Sequence, residues 1–235
     1  MFATGKRKVQ AAIRRARELV ARHSLSGYGL LFESILPAAF LARIDPTRRQ
    51  RCFGHVPVFW AWLGQILEAN GSCQRALGLV QSWYQACDLP APRGDTSSYC
   101  QARLRLEEGF LEQIASRVSH TLAAGVRSED RWAGMVLKAM DGSSVQLMDT
   151  EANQQSYPQP FGQKPGCGFP IMGMVGVLNL SHGGWEGFET CHCMHHDLQV
   201  AGKLLCHIDP DDLVLADRAF CSYELIARIM QRGAH

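Results

Sequence analysis

Apolar positions recur at helical spacing through the first half of the chain and give way to strand-like runs near Met135. Val9, Ile13, Ala16, Leu19 and Val20 form one stripe, with Arg14, Arg17 and Arg22 off it, which predicts an amphipathic helix. A second apolar segment spans about 30–41, where Pro37 kinks or starts part of it. Residues 58–67 and 73–86 predict two more helices, with Asn70–Gly71 as the stop between them. Residues 89–94 are rich in Pro and Gly and read as a loop. Asp95, Thr96, Ser97 and Ser98 are good N-cap residues, so a helix should run on through Gln101 to Arg105. Phe110, Leu111, Ile114, Ala115 and Val118 extend the pattern towards Ala123, with a break expected at Gly109.

Beyond Met135 the period changes. Residues 136–140 lead into Asp141–Gly142, and 143–147 follow with Val145 and Leu147 alternating, which predicts a strand or a hairpin. Residues 151–168 are polar and Gln-, Pro- and Gly-rich, so a loop is expected. Residues 169–180 are a charge-free apolar run that predicts a buried strand, and Gly183–Gly184 turns it into an antiparallel partner over 185–190. A short helix over 197–206, a strand over 212–216 and a helix over 222–232 ending at Gly233 complete the series. This order predicts an α/β arrangement that begins with an antiparallel hairpin and adds a parallel crossover. The division expected is a helical region over 1–130 and an α/β region over 131–235.

Composition narrows the reading. The 235 residues are 46% hydrophobic and 20% charged, which excludes wholesale disorder. The charge-free stretch 165–185 is interrupted by six glycines and polar residues, a poor membrane span. The basic N-terminal segment is not followed by the apolar core of a signal peptide, so a cytoplasmic chain is expected. Nine cysteines, an odd count, fit free thiols better than a disulfide framework. The net charge of +2 hides an asymmetry: residues 1–51 carry eleven Lys and Arg against three acids, a net +8, leaving −6 on the rest. A basic front of this kind suits a polyanion, with Lys6, Arg7, Lys8, Arg14 and Arg17 as candidate DNA contacts.

Two acids stand out by position. Asp141 follows one apolar run and Asp217 follows another, Leu213–Ala216. Carboxylates on adjacent strands can share divalent ions, and a two-metal site stabilises the attacking and leaving oxygens of phosphoryl transfer. Mg²⁺ suits such a site because it takes one or two carboxylates with water and substrate phosphates. Strand-end acids also serve as turn formers and caps.

The string Asp141-Gly142-Ser143-Ser144, then Asp149-Thr150, Tyr157–Pro160, and Gly162–Pro170, resembles bacterial insertion-sequence transposases of the DDE type, specifically the insertion sequence type four family. Ala216–Tyr223 resembles the second acidic motif of that family, and Asp95–Arg103 a motif of its helical N-terminal region. The resemblance covers about residues 30–235. It implies a ribonuclease-H-like catalytic fold after an all-α N-terminal domain, with Asp141 and Asp217 as two of three metal-binding carboxylates. It implies Mg²⁺ or Mn²⁺ in a two-metal site and no organic cofactor. The implied partners are DNA, both terminal inverted repeats and target, and a second copy of the chain in a dimer on DNA. The third acid, a Glu on a later helix, has no matching position, and Glu224 falls too early in the fold order. A catalytic domain cut short before its third acid, inactive alone, is therefore the expectation. Arg218, beside the second acid, and Lys164, in the Gly/Pro loop, are further candidate DNA contacts.

Two other constellations compete. Cys191, His192, Cys193, His195 and His196, with Cys206 and His207, supply enough ligands for Zn²⁺, but Cys191 and Cys193 are only two apart and no second Cys-x-x-Cys pair exists. Helices 73–86 and 97–105 could form a DNA-binding pair with Gln101, Arg103 and Arg105 towards DNA, although their connection exceeds the usual 3–4 residues. A nucleophilic hydrolase lacks the Gly-x-Ser-x-Gly elbow.

Overall fold

A computed structural model describes residues 24–47, 53–68, 71–162, 164, 166–192 and 197–235. The expected helix over 9–20, with Lys6, Arg7, Lys8, Arg14 and Arg17, lies outside the described residues. The chain divides into two compact units, up to Val118 and from Ser119 on. Among the described residues no helix is long and apolar enough to cross a membrane.

The first unit is helical: α1 (Leu25–Leu31), α2 (Ala38–Ile44), α3 (His55–Leu67), α4 (Cys73–Ala86), α5 (Thr96–Leu104) and the start of α6 (Glu108–Ala124). Side-chain caps set several starts. Ser24, Ser72 and Asp95 accept the N–H groups of Gly27, Arg75 and Ser97. Pro37 is the N-cap of α2, so it starts a helix and does not kink one. The break before α6 falls at Leu106–Glu107, and Gly109 sits inside its first turn. Tyr28, Val58, Val80, Tyr99 and Phe110 form the core. Gly64 is required there: a Cβ would stand 2.8 Å from the Tyr28 ring.

The second unit is a mixed α/β layer. Its strands are β1 (Val136–Gln146), β2 (Ile171–Asn179), β3 (Gly184–His192) and β4 (Asp212–Ala216), in the order β3-β2-β1-β4. β1 pairs antiparallel with β2 from Lys138↔Asn179 to Gln146↔Ile171, and β2 pairs antiparallel with β3. β4 is parallel to β1, from Val136↔Asp212 to Met140↔Ala216.

One open choice is decided and two local expectations are corrected. Residues 136–146 are one strand and not a hairpin: β1 runs unbroken through Asp141–Gly142, because β2 supplies partners there, Gly176 for Asp141 and Val175 for Gly142. Residues 151–168 are not all loop, since Thr150 caps a short helix, α7 (Glu151–Ser156), by accepting from Asn153 N–H. The helix expected over 197–206 is split into α8 (Asp197–Ala201) and a 3₁₀ turn, Leu204–His207.

The core of this unit lies on one sheet face. Met140, Val175, Val177 and Cys191 pack with Leu204, Leu205, Ile208 and, from α9 (Tyr223–Gln231), Leu225 and Ile229. On the other face Leu215, Trp185 and Phe188 are 46%, 55% and 60% exposed and lie outside that core. Gly233, at φ +78°, turns the chain after α9, so that His235 exchanges backbone hydrogen bonds with Asp212 and Val214 on the outer edge of β4.

Candidate active site

The parallel β1–β4 ladder brings the two motif acids together. Met140 pairs with Ala216, and Asp141 and Asp217 are each the next residue along. Neighbouring strands are about 4.8 Å apart, and the last pair of this ladder, Met140 and Ala216, immediately precedes the two acids. Beyond this point β4 ends while β1 runs on for five residues against β2. Asp141 therefore sits where the sheet narrows, not at a strand end. Both residues are exposed.

Each carboxylate is oriented by a local hydrogen bond. Asp141 Oδ1 accepts the N–H of Gly142 at 2.8 Å. Asp217 Oδ1 accepts the N–H of Ala219 at 2.8 Å and caps the 3₁₀ turn Arg218–Phe220. The second oxygen of each makes no hydrogen bond or ion pair among the described residues. Two such carboxylates are an oxygen-only donor set, which Mg²⁺ completes with water and phosphate. They fit one ion. A second ion needs further oxygen ligands, and among the described residues no group of three or more His, Cys, Asp and Glu is gathered to hold a metal.

Sequence reading missed what fixes the register of this pair. Lys138, three residues before Asp141, is buried and bonds Asp212 at 2.7 Å, Asp209 at 3.1 Å and the carbonyl of His207 at 2.7 Å. Burial alone would push this lysine down, but the hydrogen bonds to Asp212 and Asp209 outweigh it and hold it above its ordinary value. Asp212 also accepts the N–H of Asp209 at 2.7 Å. The cluster ties β1 to the start of β4. A charged residue within an apolar run, three positions before the acid, was the available signal.

A second missed feature flanks Asp141. Gly176 is its partner on β2 and Phe188 is the next residue across the sheet. The Trp185 ring lies over Gly176, where a Cβ would collide with it. The acid thus has an aromatic neighbour on the exposed face.

The other sequence-predicted residues are dispersed. Arg218 follows Asp217 directly and is exposed. Lys164 is exposed, with its carbonyl held by Gln159 Nε2 at 2.8 Å and the N–H of Cys167 at 3.0 Å. Gln101 is exposed on α5. Arg103 instead donates to Gln65 Oε1 at 3.1 Å within the helical unit, which ties it to its own core. Glu224 is exposed on α9 and pairs with Arg228 at 3.7 Å. Of the thiol and imidazole cluster, Cys191 is buried on β3, Cys206 donates to the carbonyl of Lys203 at 3.3 Å, and residues 193–196 lie outside the described residues.

The chain is similar to a protein named "Putative transposase InsZ" of Escherichia coli (strain K12), 24% identical over 140 residues. That stretch is 59% of this chain and 47% of the relative, so the chain spans about half the length of the relative it matches. No family model matches the chain, and no solved structure matches it. The likeness is a distant one to a transposase.

Proposed function

We propose that this chain carries part of a DNA transposase of the DDE type, in which Asp141 and Asp217 hold a divalent cation for phosphoryl transfer on DNA. The observation that carries the reading is the placement of these acids one residue past the Met140–Ala216 pair of a parallel ladder. The distant likeness to a transposase supports it. The antiparallel strands followed by a parallel crossover support the ribonuclease-H-like fold that the motifs imply. On this reading the α/β region is the catalytic domain and the helical region before it is the DNA-binding domain.

A bound Mg²⁺ or Mn²⁺ would offset charge on the scissile phosphate and lower the pKa of a ligated water. The chain's own residues do the rest. Asp141 and Asp217 present their uncommitted oxygens to the cation, and the hydrogen bonds to Gly142 and Ala219 keep them oriented. Arg218, exposed beside Asp217, is placed to meet a phosphate. A third oxygen ligand is required for a complete two-metal site.

The test is a gel shift of the whole chain with a duplex bearing the terminal inverted repeat that flanks its gene, at several salt concentrations. Binding at low salt that falls steeply with added salt, and exceeds binding to an unrelated duplex, is the expected result. Absence of binding at low salt would remove DNA as the partner.

A further inference from the structure

The helical unit holds a pair of sulfurs that the proposed DNA chemistry does not use. Cys73 is the first residue of α4 and Cys100 lies in α5, and the Cys100 thiol donates to Cys73 Sγ at 3.6 Å. Both are half-buried. They sit in a polar seam that joins three helices through Gln65 of α3. Gln65 Nε2 donates to Cys73 Sγ at 3.6 Å, while its Oε1 accepts from Tyr99 at 3.0 Å and from Arg103 at 3.1 Å. Two cysteines 27 positions apart in sequence meet here at a helix start, where the backbone can yield.

We propose that Cys73 and Cys100 form a redox pair that closes to an intramolecular disulfide when the chain meets a small-molecule disulfide such as oxidised glutathione.

A disulfide has an S–S length of about 2.05 Å, so closure asks the sulfurs to approach by roughly 1.5 Å. Cys73, which accepts from both Gln65 and Cys100, is the attacking sulfur. As a thiolate it displaces one glutathione from the oxidant and forms a mixed disulfide. Cys100 then loses its proton and attacks the Cys73 sulfur, releasing the second glutathione. The two cysteine thiols are oxidised, the glutathione disulfide is reduced, and both thiol protons end on the two glutathione molecules. The hydrogen bond to Cys73, and then burial, hold the Cys100 thiol above its ordinary range, so Cys100 resolves the intermediate and does not initiate it. The bond ties the start of α4 to α5 and restricts the unfolded chain.

The experiment treats the full chain with oxidised glutathione, alkylates the remaining thiols and maps the peptides by mass spectrometry. The expected product is a Cys73–Cys100 cross-linked peptide lighter by two hydrogens, while the exposed Cys87 and Cys167 carry glutathione. In Cys100→Ser the mixed disulfide should persist on Cys73. The melting temperature should rise on oxidation of the wild type, return with dithiothreitol, and not rise on oxidation in Cys73→Ser or Cys100→Ser. If Cys73 and Cys100 are recovered alkylated, separately glutathionylated, or joined to other cysteines, the proposal is overturned.

Discussion

Lys138 Nζ lies 2.7 Å from Asp212 Oδ2, with both side chains almost wholly buried, and this contact joins the two strands that carry Asp141 and Asp217. Removing Lys138 leaves Asp212 buried without its counter-charge, which costs about 3–5 kcal/mol in such sites, whereas removing Asp212 leaves Lys138 its contacts to Asp209 and the His207 carbonyl. Lys138→Ala is expected to lose stability of that order and Asp212→Ala less, read by urea unfolding followed through hydrogen exchange in β1 and β4. Replacing both by apolar residues of similar volume should recover much of the loss. A loss in the double variant equal to the sum of the two single losses would show that the pair does not act as a unit.

Glu186 gives the second unit an acid-side limit. Burial pushes its carboxyl up, but hydrogen bonds from Asn179 and Ser119 outweigh this and hold it below its ordinary value of 4.5. A depressed folded value means the unfolded state takes up the proton first as pH falls. The stabilisation is therefore complete above the unfolded value of 4.5 and is lost as pH drops through the lower folded value. Thermal unfolding should show Glu186→Gln less stable than wild type at neutral pH, with the difference shrinking below the unfolded value. A pH-independent difference would contradict this.

Trp185 covers Gly176 beside Asp141, so bulk added at Gly176 must displace the ring. Gly176→Val is expected to cost about 1–3 kcal/mol by overpacking and to raise the quenching of Trp185 by iodide. The Trp185→Phe variant identifies the signal by its loss. Unchanged quenching would mean that the ring does not rest on Gly176.

Much of the architecture is legible in local sequence. The start of α4 follows the Asn70–Gly71 stop signal, and the end of β4 follows from an apolar run closed by Asp217. Residues 136–147 leave strand and hairpin both open because the chemistry of Asp141–Gly142 is local, whereas the pairing of Gly142 with Val175 is not. The split between α8 and the Leu204–His207 turn is likewise set by packing on the sheet. Asp141 and Asp217 are legible as site candidates because each follows an apolar run in a long motif. Their adjacency depends on a parallel crossover, and the Lys138–Asp212 contact that fixes it joins residues far apart in sequence. Arg103 reads as a surface base, yet Gln65, in another helix, holds it inward.

Asp141 and Asp217 are proposed to act together on a divalent cation, and Mn²⁺ binding followed by electron paramagnetic resonance tests this most directly. The whole chain should bind Mn²⁺ saturably, Mg²⁺ should compete, and Asp141→Asn and Asp217→Asn should each lose the site while keeping the wild-type melting temperature. Binding by both variants equal to that of the wild type, or no saturable binding by the wild type, would contradict it.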